Sequence, residues 1–481
     1  MKKPFFTLAA LAVVHTLSGS ALAAGLYFSD RGVRPLSRAG AFVAGADDLG
    51  AISYNPAGLA FAGHQFLLDA SWLQYSSTYQ RKQVVADSAG NETILTHPAV
   101  EGTSPILPIP TLAYANPLGL EDFNFAIAVS APYTAITSYP ESVAGQPAPQ
   151  RYSLISLDGS AMAIPGIYAS WQPAESLAFG VGIEMLTGYF QTSVAMSACV
   201  PDRFLCAPEQ PSWDAYSRLR VGPIFAPSGI LGAIVQAHDM VKLGASLHLP
   251  KYIDSRATVD VRLPEAAVFD GASQKGNEAD VNFTLPWVMR LGAELRPLEK
   301  TRVEAGFALE GWSQHEAIEI VPDNIALQNV IAFPQEYKVA PMRIERGFQD
   351  AWSVRLGGEQ SFEAGGYPMD FRAGVMYEKS AIPTEYLSVT TVDLDKVTVA
   401  LGGSLHIGKW RFDAVLARVF GMPTEVDPRT AAITQLNPVI ANPPARPVRI
   451  NGGTYQANAN VMGIGLVYQF DAAEPTQAPT E

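Results

Sequence analysis

The last apolar run of the chain alternates strictly and ends on an aromatic residue. Met462, Ile464, Leu466, Tyr468 and Phe470 take every second position, with Gly463, Gly465, Val467 and Gln469 between them. Successive side chains on a strand point to opposite faces, so this run has one apolar face and one smaller, more polar face. In an exported chain, a final strand that closes on Tyr-x-Phe points to a membrane β-barrel, with lipid outside and a lumen inside. The N-terminus carries the matching export signal. Lys2 and Lys3 precede a short apolar stretch, and Ala21-Leu22-Ala23 forms an A-x-A cleavage site, so residues 1–23 read as a signal peptide. That stretch is well short of the roughly 20 residues a helical span needs. Gly, Pro or a charge interrupts every later apolar run.

Charged residues make up only 16% of the 481, fewer than a water-facing surface of this size usually carries. The net charge is −13 and no basic stripe is present, which argues against nucleic acid as a partner. The only two cysteines, Cys199 and Cys206, stand close together in a polar, proline-containing stretch. In an exported chain they read as a loop disulfide; a metal pair is the weaker alternative, because no histidine lies between them.

Alternation predicts fourteen strands, near 65–79, 106–115, 123–134, 161–171, 177–192, 229–237, 241–255, 281–296, 301–312, 351–362, 369–379, 396–407, 409–420 and 456–470. The number is even, as a single-chain bacterial barrel requires. Six short turns and seven long segments strictly interleave between them, the pattern of periplasmic turns and extracellular loops. Arg290 with Glu294, Arg355 with Glu359, Asp370 with Arg372 and Arg411 with Asp413 fall opposite the apolar face. They are expected in the lumen, since a charge on the lipid face near the midplane costs about 2–4 kcal/mol.

Residues 37–63 read differently. They are rich in Ala and Gly, and Ser37, Asp48 and Asn55-Pro56 are each placed to cap a short helix. Residues 24–63 are therefore expected as a hatch inside the lumen of a barrel spanning 64–470, with 471–481 as a disordered periplasmic tail. Some 40 residues without a disulfide are too few for a separate core.

Asn55-Pro56-Ala57-Gly58-Leu59 resembles the FadL/TodX family of outer-membrane transporters of hydrophobic compounds, as do Ser37-Arg38-Ala39-Gly40-Ala41 before it and the run Gly347 to Gly357 later. Arg372 to Tyr377, Ile382-Pro383 and the block from Leu285-Pro286 to Ser313 follow in the same order. The resemblance implies an all-β barrel of fourteen antiparallel strands, closed by an N-terminal hatch that carries Asn55, Pro56 and Ala57. It implies passive transport of long-chain fatty acids or aromatic hydrocarbons with no cofactor, in a monomer placed in the outer membrane by the barrel assembly machinery among lipid and lipopolysaccharide. In this family loops capture the ligand, the lumen binds it, and an inward kink in the third strand opens a lateral gap. Ser130, Ala131 and Pro132 are the matching positions for the gap. Val221, Ile224, Phe225 and Ile230 are candidates for a greasy capture loop. Lys242, Arg290, Arg302 and Arg355 are candidate lumen cations for a fatty-acid carboxylate. The tail beyond Phe470 and the cysteine pair depart from the usual family pattern.

A general diffusion porin is the alternative, though it has no use for an Ala/Gly-rich hatch. An outer-membrane hydrolase would need a Ser–His pair, and none of the seven histidines sits in a nucleophile motif. No metal or phosphate site is legible.

Overall fold

Each wall strand follows from alternation, with large apolar side chains on one face and small or charged ones on the other. A computed structural model describes residues 30–471 apart from 88, 132–136, 200–205, 208, 332–335 and 438–447. The expected signal peptide, residues 24–29, Pro132 and all but the first residue of the tail lie outside the described residues. The strands are β1 Gln65–Ala86, β2 Pro108–Asn116, β3 Phe123–Ser130, β4 Ala161–Ala174, β5 Leu177–Ser197 and β6 Asp214–His238. Two halves form β7, Val241–His248 and Lys251–Arg262, and two form β8, Glu278–Leu285 and Val288–Leu298. Then come β9 Thr301–Glu310, β10 Ala351–Ala364, β11 Tyr367–Glu378, β12 Lys396–Ile407, β13 Trp410–Gly421 and β14 Gly453–Gln469.

Neighbours pair antiparallel, and β1 closes the barrel on β14 from Gln65 opposite Gln469 to Arg81 opposite Gly453. The alternating run that ends the sequence is thus one side of the closing seam. Ile127, Ile167 and Ile183 are opposite one another on β3, β4 and β5 and all face outward, part of an apolar outer surface that continues through Leu291, Leu356 and Leu416. No helix among the described residues is long and apolar enough to cross a membrane.

Three expectations change in detail. The expected loop 193–228 is mostly wall, because β5 runs on to Ser197 and β6 begins at Asp214, paired from Ser197 opposite Asp214 onward. Pro223 and Pro227 interrupt the alternation within it, since a proline cannot donate to a ladder. The expected single strands 241–255 and 281–296 are each broken, at Leu249-Pro250 and Pro286-Trp287, for the same reason. Between β6 and β7 the ladder holds at His248–Ile230 and again at Ala257–Val221, and lapses between. Finally, Ser37 does not cap a helix but ends one, Val33–Ser37, whereas Asp48 and Asn55 do cap the 3-10 turns Leu49–Ser53 and Pro56–Phe61.

Candidate functional site

The inward faces divide the lumen into two layers of opposite chemistry. Toward the short-turn end the inward side chains are charged, and residues 30–63 lie among them. Glu304 of β9 accepts hydrogen bonds from the backbone N–H groups of Val43, Ala44 and Gly45 at 2.6, 3.0 and 2.9 Å. The same carboxylate meets Arg38 at 3.1 Å. Arg34 meets Asp47, Asp48 and Glu359 at 2.5, 3.0 and 3.1 Å, and Arg411 meets Asp48 at 2.6 Å. Burial alone would raise the pKa of Asp47, but Arg302 and Arg34 hold it well below the usual carboxylate range. Asp48 is likewise pushed up by burial and pulled below its ordinary value by Arg34 and Arg411. Both therefore stay ionised, and the segment is pinned to the wall through charge-assisted bonds.

The Asn-Pro-Ala motif is seated by shape as well. Buried Asn55 donates from Nδ2 to the carbonyls of Val43 and Ala233 at 2.9 and 3.0 Å, and its Oδ1 accepts from Ala57 N at 3.2 Å. Opposite it the wall offers Gly180 and Gly232. A Cβ at Gly180 would run into the Pro56–Ala57 backbone, and one at Gly232 into the Asn55 side chain. Those glycines are needed for close approach.

Above this layer the lumen is mostly apolar, with a buried Lys396–Glu378–Asp393 cluster among the exceptions. Ile109, Ile164, Leu186, Ile224, Ile253, Met376 and Val415 point inward from strands all round the barrel and join one buried cluster. Leu387, Val389, Val392 and Leu394, from the connection between β11 and β12, belong to the same cluster. Beyond it, at the long-loop end, lies a 40 Å³ apolar cavity lined by Met196, Val259, Leu263, Phe269, Leu327 and Met342. The Cys199–Cys206 disulfide is formed and packs with Trp213 and Phe269 beside it. A separate apolar cleft of about 430 Å³ runs along β2 to β5, lined by Phe125, Ile127, Ile167, Val181 and Ile183.

The anticipated site residues distribute unevenly. Val221, Ile224 and Ile230 are not on a loop: they are buried on β6, and Phe225, on the same strand, is 64% exposed on its outer face. Three of the four are therefore no surface, and the strand's own alternation accounts for the apolar pattern. Ser130 ends β3 and its hydroxyl accepts from Arg31 Nη1 at 3.0 Å; Ala131 N donates to the Pro110 carbonyl at 3.0 Å. Pro132, the residue on which the kink rested, lies outside the described residues.

Of the four candidate cations, Arg302 is bound to Asp47, Glu294 and Glu359 at 2.7, 2.9 and 3.3 Å, and Arg355 to Asp30 at 2.5 Å. Arg290 contacts His248 Nδ1 at 3.1 Å and stands over the Tyr54 ring. Lys242 sits 4.2 Å over the Phe61 ring. All four are engaged by residues 30–63 through charge or ring, and Arg302 and Arg355 pair with carboxylates there. The sequence places Glu304 opposite the apolar face but does not show it as an anchor, a role it acquires only through partners distant in sequence.

Comparison with known proteins agrees with this architecture. The family model for outer membrane transport proteins (OMPP1/FadL/TodX) matches residues 14–470. The crystal structure of a Pseudomonas aeruginosa FadL homologue superposes with a TM-score of 0.68 at 14% identity, covering 94% of this chain and 100% of the other. The Ralstonia pickettii toluene transporter TbuX gives 0.56 at 13%, covering 92% and 99%. The Pseudomonas putida toluene transporter TodX gives 0.56 at 14%, covering 89% and 96%. At these identities the likeness establishes the fold. No curated protein matches in sequence.

Proposed function

The chain belongs to the family of outer membrane transport proteins OMPP1/FadL/TodX, and on that premise we propose that it moves hydrophobic molecules passively across the outer membrane, long-chain fatty acids foremost. The observation that carries this reading is the layered lumen. An apolar chamber is useless to a sugar or an ion, and it costs free energy to wet. It suits a molecule that is itself mostly hydrocarbon.

In this reading a ligand enters from the apolar cavity near the disulfide and settles in the upper chamber. Residues 24–63 act as the hatch beneath it. The hatch is held by ion pairs and by an apolar cluster of Phe42, Leu49, Ile52 and Leu59 with the wall, so its rearrangement has to be local. Lateral release past the end of β3, near Ser130 and Ala131, is supported by that strand's shortness and by the apolar cleft beside it. Aromatic hydrocarbons are the second reading, favoured by the two toluene transporters among the similar structures.

Uptake in a deletion strain tests the proposal, with oleate set against a panel of aromatics. Loss of oleate uptake on deletion, restored by the gene, is the expected result. Unchanged uptake of every hydrophobic compound would end the transport reading, and loss of the aromatics alone would select the second.

A further inference from the structure

On β6 and β7 the outer wall changes chemistry within a few residues. Val235, Leu231 and Phe225 of β6 are exposed and apolar, as are Leu247 and Leu249 of β7, with Tyr252 above them. The ten-residue step from Val235 to Phe225 covers about 34 Å of strand. At the tilt of a barrel strand it stands about 25 Å tall, the height of a lipid-facing band. Phe225 and Tyr252 thus mark the upper edge of the hydrocarbon, on the side of the long loops. Aromatic rings belong at that edge.

Just past it the same outer faces carry Arg218 and Arg220 on β6 and Arg262 on β7, all exposed. The ladder sets Arg220 opposite Thr258, Arg218 opposite Asp260 and Tyr216 opposite Arg262, so the three guanidiniums share one patch. Arg220 stands 4.6 Å over the Tyr189 ring and Arg262 4.2 Å over the Tyr216 ring. A guanidinium laid on a ring is held in place while its N–H edge stays free for an anion. Other exposed cations on this side are spent on carboxylates: Arg256 on Asp280 and Asp323, Arg343 on Glu319 and Glu345, Lys82 on Glu425. Arg218, Arg220 and Arg262 form no ion pair among the described residues, although Asp260 faces Arg218 across the ladder. Three cations to one anion, in a chain of net charge −13, is a local surplus of the opposite sign.

We propose that this patch binds the phosphate groups of lipopolysaccharide, the phosphorylated glycolipid of the outer leaflet, with its acyl chains laid against Phe225, Leu231 and Leu249 below. Both halves of the surface are used only by a molecule that carries anionic phosphates at the top of the hydrocarbon and acyl chains beneath them. Arg218 and Arg220, neighbours on one face about 7 Å apart, can grip one phosphate through charge-assisted N–H bonds. Arg262, diagonal to Arg218 across the ladder, widens the grip. A soluble anion has no use for the apolar band, and an inner-leaflet phospholipid holds its phosphate at the opposite rim. The patch lies outside the lumen, so its failure would leave the transport reading as it stands.

Equilibrium binding of lipid A, the phosphorylated acyl portion of that glycolipid, to the purified full-length barrel in phosphatidylcholine nanodiscs tests this. Wild type is expected to bind lipid A at least about tenfold more tightly than dephosphorylated lipid A, the scale of one charge-assisted hydrogen bond. Arg218→Met combined with Arg220→Met is expected to erase that preference. Arg343→Met, which removes a cation already spent on carboxylates, should stay within about twofold of wild type. Equal affinity of wild type for the two forms would overturn the proposal; because that comparison needs no variant, a poorly folding mutant cannot hide it. An equal loss in Arg343→Met would also overturn it, since overall charge and not the patch would then be responsible. Displacement of lipid A by phosphatidylglycerol as readily as by unlabelled lipid A would overturn the choice of the outer-leaflet glycolipid, leaving a general attraction to anionic lipid.

Discussion

The lower and upper lumen are built by the same fourteen strands, yet they solve opposite problems. Below, many inward charges are matched to a particular partner on residues 30–63. Above, the inward residues are mostly apolar, with a few buried ion pairs such as Lys396 with Glu378 and Arg81 with Glu209 among them. Matched charges make an arrangement specific, because each displaced partner leaves a buried charge behind. Apolar packing tolerates substitution as long as volume is kept. The lower layer is thus suited to holding one segment in one place, and the upper layer to receiving ligands that vary in shape.

The sharpest way to break that contrast is at Glu304. Glu304→Ala strands three backbone N–H groups and leaves Arg38 with Glu294 alone, and should weaken docking of the N-terminal segment by about 3–5 kcal/mol. Hydrogen exchange of residues 30–63 should rise while that of the wall stays slow. Unchanged exchange would mean the segment is held by shape alone.

A gentler cut in the upper layer should do the reverse. Leu186→Ala removes a fully buried side chain and should cost about 2–5 kcal/mol of local packing, read as weaker oleate binding with the exchange of residues 30–63 unaltered. If both layers responded to this change, they would have to be treated as one unit. Cys206→Ser should have a smaller effect. Opening a short covalent loop should lower stability by at most about 3 kcal/mol and loosen the neighbouring cavity, detectable as slower ligand capture without loss of the barrel.

Acid should matter least. Asp47 and Asp48 have pKa values lowered in the folded state, so their contribution is complete above the ordinary carboxylate pKa and is lost only as pH falls through the depressed values. Barrels in planar bilayers should therefore stay closed from pH 7 to about 5. Opening within that range would show that some other group holds the segment.

Much of the wall was legible in the sequence, because period-two alternation survives wherever one face meets lipid. It failed around Pro223 and Pro227, where a stretch read as loop is wall, and at Pro250 and Pro286, where strands read as continuous are each interrupted by a residue that cannot donate to the ladder. The lower lumen was half legible. Opposite charges on one face were visible, and Asp370 with Arg372 and Arg411 with Asp413 do pair, but Arg290 with Glu294 and Arg355 with Glu359 do not. Glu294 instead meets Arg38 and Arg302, and Glu359 meets Arg34, Arg302 and Arg372. Such choices depend on where the N-terminal segment lies, and no periodicity records that.

The close seating of Asn55 against Gly180 and Gly232 has a consequence for the living cell. Bonded backbone takes up part of the bore at that level, so a solute passing there has to displace hydrogen-bonded chain, and a cell can hold copies of such a barrel without each being a plain aqueous hole where Asn55 sits.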